Sequence, residues 1–100
     1  MAGEDKDFVA WVHTQTCLAA ELDPCEGRLH AHHAGERGLG QRAHDRTCIP
    51  LCEKHHRAWH DVRWPFSFMT REERREWRDR AIADTQWRHD HPKTQREIPW

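Results

Sequence analysis

The nine residues CEKHHRAWH, at 52–60, constrain this chain more than any other stretch. They read as a helix over 53–61, running to about Val62. On a helix, residues three or four apart share a face, and successive residues turn by about 100°. Cys52 and His55 therefore form one pair and His56 and His60 another, roughly a quarter-turn away. One helix of this kind can serve two separate metal ions.

The rest of the composition points to a staple beyond apolar burial. The chain has 100 residues, enough for one small domain, 1–100, with a thin core. Only 36% of residues are hydrophobic, and the mean hydropathy is -1.11. Small domains this polar depend on metal or disulfide staples. Six Trp and three Phe partly offset the shortage, because each aromatic buries a large area. The N-terminal MAGEDKDF is not a signal peptide, and no apolar run is long enough for a membrane span. The expected location is the cytoplasm, with no membrane partner, where four Cys serve as ligands or core rather than as disulfides.

Sixteen Lys and Arg against seventeen Asp and Glu give a formal net charge of -1, which excludes a bulk basic nucleic-acid binder. A local positive face is still expected between Arg28 and Arg63, where Arg37, Arg42, Arg46, Lys54 and Arg57 also lie.

Along the chain, 7–20 is consistent with a short helix and 21–27 with a turn marked by Asp-Pro and Gly. RLHAHHAG, 28–35, reads as a strand with His30 and His32 on one face and Leu29, Ala31 and His33 on the other. A Gly-rich loop follows over 36–45, then a second strand, RTCIPLC, over 46–52. Residues 62–69 form a connection with buried aromatics, Trp64, Phe66 and Phe68 marking where the last helix docks. Thr70 and Glu73 make a capping box that opens a helix over about 71–87, packing through Trp77, Ala81 and Ile82. Its charge run TREERREWRDR reads as a solvated face, and His89 and His91 as surface.

Zinc in a structural site takes four N or S ligands in a closed tetrahedron. Cys17 and Cys25 are the candidates to complete Cys52 and His55, although their spacing is wider than a C-x2-C knuckle. Cys48 is an alternative ligand, with a core role as the competing reading. The His56/His60 pair needs a third ligand and an open position, which His32 or His33 can supply. Adjacent strand residues face opposite ways, so one of the two ligates and the other points elsewhere. A divalent ion held this way can stabilise charge on a scissile phosphate while a neutral His takes a proton from water.

These residues resemble the His-Asn-His (HNH) endonucleases, over roughly 17–61, and look closest to small phage-type members ending in PLCxxHHxxxH. The resemblance implies an α+β fold: a zinc-stabilised ββα-metal (His-Me finger) core at 17–61, flanked by N- and C-terminal helices, the latter over 70–88. It implies a metal-dependent DNA endonuclease with His33 as general base. His32, His56 and His60 would hold one catalytic divalent ion (Zn, Mn, Ni or Mg), and Cys17, Cys25, Cys52 and His55 a structural zinc. The family's middle Asn has no clear match; Thr47 or Asp45 stands nearest. Arg37, Arg42 and Arg57 join them as candidates for phosphate or loop contacts. DNA is the expected partner, with the chain a monomer or homodimer. A non-catalytic, zinc-stabilised module that binds nucleic acid or protein is the competing reading.

Overall fold

The computed structural model describes residues 5–35 and 44–91. Arg37 and Arg42 lie outside the described residues, as does most of the Gly-rich loop. The elements run α1 (Lys6–Val12), β1 (Leu29–His33), β2 (Cys48–Cys52), α2 (Glu53–Asp61) and α3 (Arg71–Asp90), with one-turn 3₁₀ helices at Asp45–Thr47 and Phe66–Phe68. The result is an α+β domain in which a β-hairpin and α2 form the ββα unit.

The two strands pair antiparallel, Leu29 opposite Cys52 and His33 opposite Cys48. In a two-stranded sheet both strands are edges, so Pro50 is tolerated in the middle of β2 although it cannot donate to a ladder. Its carbonyl accepts the Leu18 N–H at 3.0 Å, drawing the segment after α1 onto the outer side of β2. All five β2 residues are buried. Ile49 and Leu51 join Phe66, Ala58 and Ala81 in the main core, with Trp59 and Trp77 packed against it.

Cys48 is fully buried in a second, smaller cluster with Phe8 and Val12 of α1. Strand alternation turns it away from Ile49, and α1 covers it there. The α1 helix itself is shorter than 7–20 suggested. Asp5 caps it by accepting the Phe8 N–H at 3.1 Å, and only Phe8 and Val12, one turn apart, are buried.

The capping box at α3 is present in both halves, Glu73 N–H to Thr70 Oγ1 at 3.1 Å and Thr70 N–H to Glu73 Oε1 at 2.8 Å. The helix continues to Asp90, beyond the expected 87, and ends at His91, whose position before Pro92 disfavours helical geometry. The extra turn has a function in packing. His89 is not a free surface residue: its ring meets Phe8 and Trp11 edge-on, each at 5.0 Å. Arg46 lies over the Phe8 ring at 4.7 Å and pairs with Asp90 at 3.1 Å, tying α1, the Asp45–Thr47 turn and α3 together.

The expected aromatic dock is also corrected. Phe66 is fully buried, but Trp64 is 51% and Phe68 79% exposed, and the two pack against each other at 4.8 Å. The Phe66–Phe68 turn can send only one of its aromatics inward. Among the described residues no helix is long and apolar enough to cross a membrane.

Candidate metal centres

The structure gathers two groups of metal-ligating side chains, each with its ligand atoms within 4.8 Å of one another: Cys17, Cys25, Cys52 and His55, and separately His32, His56 and His60. Adjacent His55 and His56 are thus divided between the groups, as 100° per helical residue requires.

The first group is assembled from three segments. Cys17 follows α1; Cys52 ends β2 and caps α2, its Sγ accepting the His55 N–H at 3.5 Å. The wide spacing to Cys25 is taken up by successive turns, closed by Ala20 N–H to Cys17 and Asp23 N–H to Ala19 carbonyls. The chain then passes tightly under α2. Gly27 has φ 85°, and a Cβ there would lie 2.7 Å from Glu53 Cβ, so only glycine fits. The His55 Nδ1 stands 3.3 Å from Cys17 Sγ, 3.2 Å from Cys52 Sγ and 3.9 Å from Cys25 Sγ. Tetrahedral zinc, with bonds of about 2.3 Å to S and 2.0–2.1 Å to N, sets such donors roughly 3.5 Å apart. The donor set fits zinc. Burial pushes the Cys17 thiol up and Cys25 up to about 12. Burial also acts against ionisation of Cys52, but backbone N–H groups of His55 and Glu26 outweigh it and hold that thiol below its ordinary value. Three thiols thus compete for one negative charge, a conflict that a bound dication removes.

Asp23 belongs to this centre and was not anticipated. His55 is fully buried, and its Nε2 lies 3.0 Å from Asp23 Oδ2. A carboxylate on the outer nitrogen of a ligating His fixes its tautomer and leaves Nδ1 for the metal. Lys54 Nζ at 2.8 Å and the Trp64 indole N–H at 2.9 Å hold Asp23 in turn. Lys54, then His55, draw its carboxyl pKa down to about 2.

The second group is more open. His32 on β1 is 4% exposed and meets the half-buried His56 and the exposed His60 across ring separations of 4.7 and 5.1 Å. His56 and His60 bring their Nε2 atoms to 3.1 Å. The His32 Nε2 is buried with no hydrogen-bond partner. A buried polar atom left unpaired costs about 1–3 kcal/mol, and ligating a metal would satisfy it. Burial, then the neighbouring imidazoles, lower His32 to about 3 and His56 to about 4. Both are therefore neutral at pH 7, the form that binds a divalent ion. The set fits a divalent ion held by three imidazoles, with a side open to solvent at His60.

His30 shares the His32 face of β1 and places its Nδ1 2.8 Å from His56 Nδ1. With His56 Nε2 turned to the cluster, this contact sets the His56 tautomer from behind. His30→Ala should weaken divalent-ion binding at the three-His centre about 10- to 100-fold without releasing zinc from the first. Calorimetric titration of zinc-loaded protein with manganese or nickel measures this; unchanged affinity would remove His30 from the site.

His33 faces the other way. Its Nε2 lies 2.8 Å from Asp45 Oδ1, and Asp45 is anchored by the Asp5 N–H on its second oxygen at 2.8 Å. The side chain of Thr47 instead donates to the His44 carbonyl at 2.6 Å. Arg57 is exposed and pairs with Glu53 at 3.6 Å.

Residues 1–68 match the family described as "Protein of unknown function (DUF968)". The chain belongs to the DUF968 family. The matched span contains α1, the hairpin, α2 and both metal-ligating groups, and ends before α3. A relative, the uncharacterized protein YdfU of Escherichia coli (strain K12), is 38% identical over 53 residues. That alignment covers 53% of this chain but only 15% of YdfU, so the chain spans a small part of its relative's length. No solved structure matches.

Proposed function

We propose that this DUF968 chain is a metal-dependent DNA endonuclease of HNH type. The observation that carries the reading is the second, open His32/His56/His60 cluster beside a closed Cys3His set, since a purely structural zinc module needs only the latter. The HNH resemblance of the same residues supports it. A divalent ion held by His32, His56 and His60 would supply positive charge to the scissile phosphate. His33 takes the proton from the attacking water. Asp45, on His33 Nε2, orients the ring and leaves Nδ1 to accept that proton. The water oxygen bonds to phosphorus as the P–O bond to the leaving sugar oxygen breaks, and that oxygen is protonated from solvent.

Nicking of supercoiled plasmid by zinc-loaded protein, with magnesium, manganese, nickel or added zinc, tests the reading. His60→Ala and His56→Ala are expected to abolish nicking while one tight zinc per chain is retained. A chain that holds its zinc and nicks with none of these ions is the non-catalytic module. A His56→Ala variant that loses the tight zinc would overturn the division of His55 and His56 between centres.

A further inference from the structure

Between Arg28 and Arg63, four of the five described cations stand beside an acid. Arg46 pairs with Asp90, Lys54 with Asp23, Arg57 with Glu53 and Arg63 with Asp61. Besides Arg28, unneutralised charge lies on α3, in the run that reads as a plain solvated face. Arg71, Arg74, Arg75 and Arg78 recur at three- and four-residue steps and line one groove with Trp59, about 320 Å³ in volume. Three acids of the same helix, Glu73, Glu76 and Asp84, line a different groove against the 16–21 segment, together with Arg80 and Arg88. Within the arginine groove, Arg74 donates to the Met69 carbonyl at 2.6 Å and Arg78 pairs with Asp79 at 3.0 Å. Arg71 and Arg75 are exposed, and neither pairs with an acid among the described residues.

The groove and the open metal centre share Trp59 as a neighbour. Trp59 precedes His60 on α2, and its ring lies 6.4 Å from that of His32. We infer that the Arg71/Arg75 groove is a phosphate-binding track that holds the nucleic-acid backbone beside the three-His centre. Guanidinium groups suit phosphate through paired N–H donors, and such contacts position a strand without reading its sequence. On a chain of net charge -1, four arginines on one helical face, with no acid among the described residues lining their groove, favour a polyanion there. The inference deepens the endonuclease reading, which it takes as its frame. Arg71 and Arg75 lie outside the DUF968-matched residues.

Fluorescence anisotropy with a short mixed-sequence DNA duplex tests it, in full-length zinc-loaded protein carrying His33→Ala so that the duplex is not cut. Adding Arg71→Ala and Arg75→Ala together should weaken binding roughly 10- to 100-fold near 0.1 M salt and lower the slope of log K against log salt by about 2. Arg80→Ala, in the other groove, should change neither. Both arginines are exposed, so an unchanged melt of the double variant separates binding from folding. Duplex binding that ignores the double substitution, or an absence of duplex binding, overturns the track. So does tighter binding of poly-glutamate than of duplex, which would assign the groove to an acidic protein. Cleavage is not read here, so a chain that never nicks plasmid can still show the track, and one that nicks can still lack it.

Discussion

Removing zinc from the Cys17/Cys25/Cys52/His55 centre is expected to unfold most of this domain. The centre joins three segments from distant parts of the chain: the turn after α1, the 23–27 loop and the junction of β2 with α2. Cys17, Cys52 and His55 are buried, so stripping the ion leaves only weak thiol–imidazole contacts where the metal bonds would be. Structural zinc in small domains is worth on the order of 10 kcal/mol. A domain of this size has a total stability of about 5–15 kcal/mol, so the loss is comparable to the whole. Strong chelation should therefore abolish most helical circular dichroism and the cooperative melt, and Cys52→Ser should do the same without chelator. Asp23→Ala should have a milder effect, with zinc affinity down about 10- to 100-fold, because it frees the His55 ring without removing a ligand. A melt unchanged by chelation would refute a shared zinc at Cys17 and Cys52.

How much of this was readable follows from which interactions are local. The α2 boundaries, the split of His55 from His56 and the Thr70 capping box all rest on helical geometry within one turn, and the structure has them where the spacing placed them. The strand faces of His30, His32 and His33 follow from alternation in the same way. What escaped depends on contacts across distance. Asp23 reaches His55 from 32 residues away, and no spacing rule links an Asp-Pro turn to a helix His. His89 looked like tail because its partners, Phe8 and Trp11, sit at the other end of the chain. The arginines of α3 looked self-neutralised because their acids alternate in sequence. On the helix surface the same order places Arg71, Arg74, Arg75 and Arg78 along one groove and Glu73 and Glu76 along another. Asp45 was one of two stand-ins for the missing Asn, and only the fold shows that its carboxylate, not the Thr47 hydroxyl, meets His33.

That contact leads to the other large effect. His33→Ala should retain the melt and the tight zinc yet lose at least about a hundredfold in nicking rate, because a general base contributes to rate without holding the fold. The side chain is partly exposed and belongs to neither metal-ligating group, so its truncation removes one contact from Asp45 and leaves both groups of ligands intact. Asp45 keeps the Asp5 N–H on its second oxygen, which limits that cost. Added imidazole should restore part of the His33→Ala rate if the missing element is a proton acceptor, whereas a structural defect would not respond. Asp45→Asn is the companion. It preserves shape and the α1 contact but removes the charge that favours the Nε2–H tautomer, so the rate should fall while zinc content and melting temperature hold. Asp45→Ala should also lower the melting temperature, because the anchor of the Asp5 N–H at the start of α1 is lost with the ring contact. Single-turnover nicking of the three variants beside wild type decides the assignment. Near-wild-type rates for His33→Ala would remove the base role from His33 and pass it to His30, the histidine of β1 on the metal-facing side that is outside the three-His cluster.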